Sequence, residues 1–67
     1  MDIATARKAR QWTQEDLAIR LGVSRGAVAQ WEMEEGGTRP DPNNAMRLVE
    51  LMPELTLADI YRRKRAA

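Results

Sequence analysis

The sequence predicts an all-α protein built as a compact bundle of four to five short helices. Apolar residues recur at the three- and four-residue spacing of helices, and residues that begin or end helices lie between these stretches. No stretch alternates apolar and polar residues for long enough to indicate a strand. The chain has 67 residues, 43% of them hydrophobic, so we expect a single domain over residues 1–67 with one modest core.

The first helix is expected from about Asp2 to Arg10. Its inward stripe would consist of Ile3, Ala6, Arg7 and Arg10, which follow the spacing i, i+3, i+4 and i+7. Two arginines on such a stripe are unusual, because charged side chains are rarely buried without a partner. This stripe therefore needs a further explanation.

The second helix is expected to begin after Thr13, whose hydroxyl can cap it, and Asp16 can reach back to complete a capping box. Gly22 ends it, because glycine adopts the left-handed conformation that often follows a helix. Its buried face would be Leu17, Ala18 and Leu21.

The third helix is expected from a cap at Ser24 to about Met33. Val23 precedes it as a short apolar residue that fills the corner between the second and third helices. Val28 and Trp31 would face inward. The expected outward residues are Arg25, Gly26, Ala29 and Gln30, with Ala27 at the flank.

The fourth helix is expected to open with Asp41 as cap and Pro42 at its first position, and to end at Pro53. It carries the clearest amphipathic pattern of the chain, in Ala45, Leu48, Val49 and Met52. We expect Met46 and Met52 to serve in the core or in a dimer contact.

Thr56 would cap the fifth helix. A chain this short cannot bury every apolar residue, so the last helix and the loop before it are our candidate surface for a second copy. Its residues are Leu55, Leu57, Ile60 and Tyr61. We interpret the basic run at residues 62–65 as a disordered tail or a solvated helix end, with a phosphate contact as the alternative.

The composition excludes several kinds of site. The chain has no cysteine and no histidine, which removes disulfides, thiolate metal sites and histidine bases. We therefore expect no cofactor, no metal and no enzymatic activity. There is no apolar run of membrane-spanning length and no signal-peptide pattern, so we expect a cytoplasmic protein without a membrane partner.

Residues 14–32 meet the physical requirements of two helices joined by a short turn and crossing steeply. Such a pair needs a small residue where the axes approach, a glycine in the turn and an apolar residue at the corner. The small residue is Ala18, the glycine of the turn is Gly22, and the apolar residue at the corner is Val23.

This segment, QEDLAIRLGVSRGAVAQWE, resembles the helix-turn-helix of the Cro and lambda-repressor-like family, also called the XRE family. Trp12-Thr13-Gln14 is similar to that family's Leu-Thr-Gln entry, and the Arg39-Pro40 loop and the fourth helix resemble the family too. The resemblance spans roughly residues 3–52 and, more weakly, the last helix. It implies a lambda-repressor-like bundle and a transcriptional regulator whose second motif helix lies in the major groove of double-stranded DNA.

The resemblance implies base contacts from Arg25, Gly26, Ala27 and Gln30. Arginine suits guanine, glutamine suits adenine and alanine suits a thymine methyl group. Gly26 costs the helix about 0.5–1 kcal/mol relative to alanine, and a close approach of the backbone to DNA would explain that cost.

We expect phosphate contacts from Gln14, Ser24 and Arg39. The free N–H groups at the start of the second helix suit a phosphate oxygen. The resemblance also implies a buried, structural ion pair between Arg7 and Glu32, which would account for the arginine on the inward stripe.

The loop between the third and fourth helices departs from the family pattern. Residues 33–39 are about two residues longer than is common in the family and include Glu34 and Glu35, whose charges would repel a phosphate backbone. Charge is also uneven along the chain, with net +2 over residues 1–30 and net −5 over residues 31–61. The DNA-binding face is therefore expected in the N-terminal half, with Arg39 added.

Several alternatives stay open at this point. Trp12 and Trp31 could stack on single-stranded bases, but their spacing favours the core. We expect a homodimer on a pseudo-palindromic operator and no small-molecule effector, since no residues remain for an effector domain. The alternative function is an antitoxin-like module whose acidic half, residues 32–59, binds a partner protein.

Overall fold

The computed structural model describes residues 1–62. Residues 63–65 of the basic run lie outside the described residues. The described chain forms five helices and contains no strand, which confirms the all-α prediction. The helices are α1 (Ile3–Ala9), α2 (Gln14–Leu21), α3 (Arg25–Glu32), α4 (Pro42–Leu51) and α5 (Leu57–Tyr61).

The ends of α2 and α3 are set by the residues that the sequence indicated. Thr13 Oγ1 accepts a hydrogen bond from the Asp16 backbone N–H at 3.0 Å, and the Asp16 carboxylate accepts one from the Thr13 N–H at 2.9 Å. Gly22 ends α2 at φ +73°, and Ser24 Oγ accepts from the Ala27 N–H at 3.1 Å. Both helices therefore begin with their first turn capped by a side chain.

The start of α4 differs in one detail from the prediction. Pro42 is the first helical residue, but the Asp41 side chain caps no backbone N–H. Its Oδ1 accepts a hydrogen bond from Asn44 Nδ2 at 2.6 Å instead. The carboxylate is thus used by a nearby side-chain amide, and proline itself supplies the helical φ angle at this end.

The core gathers apolar residues from all five helices and from the turns around them. Trp31 belongs to it, whereas Trp12 is half-buried and packs against its edge. Met52 is fully buried, but Met46 is 60% exposed. The buried apolar residues are Ile3, Ala6, Leu17, Ala18, Leu21, Val28, Trp31, Ala45, Leu48, Met52, Leu55 and Ile60.

This core corrects the candidate dimer surface. Leu55 and Ile60 are only 1% and 3% exposed within one chain, so they are not available to a second copy. The reason is that α5 folds back on α4 and turns Ile60 inward, while Leu57 and Tyr61 stay exposed. No helix among residues 1–62 is both long and apolar enough to span a membrane.

Candidate nucleic-acid interface

The α2–α3 pair is a rigid unit because its turn is hydrogen-bonded and its inner faces are buried. The Val23 N–H donates to the Ala18 carbonyl at 3.0 Å, and the Gly22 N–H donates to the Ile19 carbonyl at 3.2 Å. Ala18 is 1% exposed and Val28 is fully buried. The direction of α3 is therefore fixed relative to α2.

The first turn of α3 lies on the surface. Ser24, Arg25 and Gly26 are all exposed. The capping bond satisfies the Ala27 N–H, but the backbone N–H groups of Arg25 and Gly26 have no hydrogen-bond partner within the described residues. Two donors and the positive end of the helix dipole thus face outward, an arrangement that suits an anion.

The side chains that the sequence assigned to base contact do not all have the same exposure. Arg25 and Gln30 are exposed, and neither side chain makes a hydrogen bond or ion pair within residues 1–62. Ala27 is half-buried and packs partly against the core, so only one side of it is open. Ala29, expected outward, is also half-buried.

Gly26 is not required by the protein itself. A Cβ built at this position would meet only Ser24 Oγ, at 3.8 Å, which is an ordinary contact. The fold would therefore accept alanine here, and alanine is the better helix former.

The opposite end of α3 is anchored by Glu32. Arg7 Nε lies 2.7 Å from Glu32 Oε2, and Arg7 Nη2 lies 2.9 Å from Glu32 Oε1. The third nitrogen, Arg7 Nη1, donates to the Trp12 carbonyl at 2.7 Å. The side chains of Arg7 and Glu32 are 9% and 7% exposed, so this pair is largely removed from water. The hydrogen bond to Glu32 raises the pKa of Arg7 above its ordinary value.

Gln14 joins this pair. It is the first residue of α2, and its Nε2 donates to Glu32 Oε1 at 3.0 Å. The backbone N–H groups of Gln14 and Glu15 have no partner in the described part of the chain. The sequence indicated Gln14 as a phosphate contact but gave no sign of its hydrogen bond to Glu32, since the two residues are 18 positions apart.

The loop from residue 33 to residue 40 folds back on α3. Gly37 has φ +70°, and a Cβ at this position would collide with the Gln30 carbonyl oxygen. Only glycine fits here without a shift of the loop. Glu34 and Glu35 are exposed, and Arg39 is half-buried with its Nη2 donating to the Arg62 carbonyl at 2.9 Å.

A second ion pair, between Arg10 and Glu54, was not predicted from the sequence. Arg10 binds both carboxylate oxygens of Glu54, with Nη2 to Oε1 at 2.8 Å. These hydrogen bonds lower the pKa of Glu54 to about 2. Both side chains are about a third exposed, and the pair joins the end of α1 to the turn after α4. The pair explains the second arginine on the inward stripe of α1. It could not be predicted from the sequence because the two residues are 44 positions apart.

A helix-turn-helix family model matches residues 3–60. The chain belongs to the Cro and lambda-repressor-like helix-turn-helix family. No curated protein and no solved structure matches it. As a member of this family, the protein is a DNA-binding transcription regulator, and the family is one of regulators rather than of enzymes.

Proposed function

We propose that the protein reads the major groove of a specific double-stranded DNA sequence with the helix that begins after Ser24. The observation that carries this proposal is the contrast along α3. Arg25 and Gly26 at its start are exposed and have no hydrogen-bond partner outside α3 within residues 1–62, while Glu32 at its other end is held by Arg7 and Gln14. A helix supported in this way can enter a groove without losing contacts of the fold.

The proposed base contacts are Arg25, Gly26, Ala27 and Gln30. Arg25 can form the bidentate pair with guanine O6 and N7, and Gln30 can pair with adenine N6 and N7. Ala27 offers its one open side to a thymine methyl group. Gly26 would allow the backbone to approach the base edges closely, which is consistent with the lack of any need for glycine within the chain.

The proposed phosphate contacts are Gln14, Ser24 and Arg39. The backbone N–H groups of Gln14 and Glu15, at the start of α2, have no partner within residues 1–62. The Ser24 hydroxyl accepts the cap bond and keeps its own proton to donate. Arg39 uses one donor for the Arg62 carbonyl, so most of its guanidinium remains available for a phosphate oxygen.

We further propose that two copies bind a pseudo-palindromic operator, with half-sites about 34 Å apart. The surface offered to the second copy is smaller than the sequence suggested. It consists of Leu57 and Tyr61 of the original candidates, with Met46 added. Together with Pro40, Pro42 and Ala45 they line an apolar groove of about 450 Å³.

A selection from random duplexes tests this proposal. The purified protein should enrich one sequence, and in a gel-shift competition it should prefer that duplex over a scrambled one by about 10³-fold or more. Equal binding to both duplexes would contradict sequence-specific recognition. If no duplex is bound while a pull-down recovers one stoichiometric protein, the antitoxin-like alternative through residues 32–59 replaces it.

A further inference from the structure

The hydrogen bond between Gln14 and Glu32 connects the first residue of α2 to the last residue of α3. We propose that Glu32 is a positioning residue for DNA binding. It holds one N–H of the Gln14 amide and leaves the other for a phosphate oxygen. This inference rests on the proposed function, because it explains how one of the proposed phosphate contacts is prepared.

The orientation of the amide follows from the chemistry of its partner. A carboxylate only accepts hydrogen bonds, whereas the amide of glutamine has an accepting oxygen and an NH₂ group with two donors. The group of Gln14 that faces Glu32 at 3.0 Å must therefore be the NH₂ group. One of its two hydrogens is used by Glu32, and the other has no partner within residues 1–62.

Arg7 fixes the carboxylate that does this positioning. Two nitrogens of Arg7 hold both oxygens of Glu32 at 2.7 and 2.9 Å, and the third nitrogen is tied to the Trp12 carbonyl. Glu32 Oε1 thus accepts from both Arg7 and Gln14, while its Oε2 is held by Arg7 alone. A glutamine side chain held in this way loses less rotational freedom when it binds a phosphate, and so binds it more tightly.

Arg7 also removes an electrostatic obstacle. A lone carboxylate beside a phosphate contact would repel the DNA backbone. The bidentate pair with Arg7 neutralises Glu32, so the positioning group adds no net negative charge next to the proposed phosphate site. The ion pair between Arg7 and Glu32 would then contribute to DNA binding as well as to the stability of the fold.

A double-mutant cycle separates this role from a purely structural one. The four proteins are wild type, Gln14→Ala, the pair variant Arg7→Met/Glu32→Leu, and the variant with all three changes. Apolar side chains of similar size can replace a buried ion pair without loss of stability. The probe is a 20-base-pair duplex of mixed sequence at low salt, because a phosphate contact does not depend on base sequence.

In the wild-type background, Gln14→Ala should weaken binding about tenfold, as expected for one lost hydrogen bond to a charged group. The pair variant should itself bind several-fold more weakly. In that background Gln14→Ala should cost only about threefold or less, because the amide is no longer held. The inference would be overturned if Gln14→Ala weakened binding tenfold in both backgrounds. It would also be overturned if the pair variant bound DNA with the affinity of the wild type.

The exposed pair between Arg10 and Glu54 provides the matched control. Arg10→Met/Glu54→Leu also removes a bidentate pair, but it should leave both the affinity and the cost of Gln14→Ala unchanged. If Gln14→Ala has no effect while Arg25→Ala abolishes sequence preference, the positioning inference fails and the groove proposal stands. If neither change affects binding, the proposed function fails.

A measurement on the wild-type protein covers the case in which the pair variant does not fold. In a ¹H–¹⁵N spectrum the two side-chain N–H signals of Gln14 should be well separated, and one should exchange slowly with water. Adding the duplex should shift mainly the other signal. Two fast-exchanging signals that do not respond to DNA would contradict the inference.

Discussion

The two ends of α3 differ in what they contribute. At its C-terminal end, Trp31 lies in the core and Glu32 takes three hydrogen bonds from Arg7 and Gln14. At its N-terminal end, Arg25 and Gly26 are exposed, and neither touches another part of the fold through a hydrogen bond among the described residues. One helix of eight residues thus has an end that maintains the fold and an end that is free to bind. Substitutions at the C-terminal end should therefore change the stability of the fold, and substitutions at the N-terminal end should change DNA binding.

The largest expected effect is at the anchored end. Glu32→Ala leaves Arg7 buried without its partner, and this should lower the free energy of unfolding by about 3–5 kcal/mol. A domain of this size has little more stability than that. Urea unfolding followed by tryptophan fluorescence measures the change.

The control for that substitution is Glu50→Ala. Glu50 is exposed and makes no ion pair in residues 1–62, so its loss should change stability by no more than about 0.5 kcal/mol. Equal, small effects at both glutamates would show that Glu32 is not an anchor.

At the free end, Arg25→Ala should leave stability within about 0.5 kcal/mol of wild type, because no partner is lost. The same change should weaken binding to the selected duplex by about 1–3 kcal/mol and relax the preference at one base pair. Gel-shift titration measures this affinity.

Arg47→Ala removes another exposed arginine with no partner in the described residues, on α4 rather than α3. It should leave sequence preference intact. A comparable loss of specificity in the two variants would mean that general charge, and not the end of α3, controls binding.

The smallest expected effect is at Gly26, where the change to alanine should raise the stability of the fold but weaken DNA binding. Gly26→Ala should stabilise the fold by about 0.5–1 kcal/mol, since alanine favours the helix and has room for its Cβ. It should nevertheless weaken DNA binding if the backbone approaches the bases.

Gly22→Ala is the contrast for that change. Gly22 has φ +73°, so alanine at this position should destabilise the fold. A Gly26→Ala variant that is more stable and binds DNA as well as wild type would remove the argument for close approach.

Local signals in the sequence predicted the ends of α2 and α3 well. A hydroxyl before a helix and a glycine after it act over three or four residues, and Thr13, Gly22 and Ser24 all take the expected roles. The absence of a strand among residues 1–62 and the inward faces of the first four helices follow from the same short-range patterns. These features required no knowledge of distant contacts.

Of the contacts between distant parts of the chain, the pair of Arg7 and Glu32 was expected from the family resemblance, and the others were missed. The bond from Gln14 to Glu32 and the pair of Arg10 with Glu54 join residues 18 and 44 positions apart. Helix α5 has only five residues, too few for its periodicity to tell which of Leu57, Ile60 and Tyr61 turns inward. The left-handed conformation of Gln11, with φ +62°, could not be predicted from the sequence, because glycine is the residue that usually indicates such a turn.

Methylation interference on the selected duplex tests most directly whether the first turn of α3 enters the major groove. Methylation of guanine at N7 blocks the major groove, whereas methylation of adenine at N3 blocks the minor groove. We expect N7 methylation of one guanine in each half-site to prevent binding by the wild type, and Arg25→Ala to lose its sensitivity at that guanine. Interference confined to adenine N3, or an N7 pattern unchanged by Arg25→Ala, would contradict the claim.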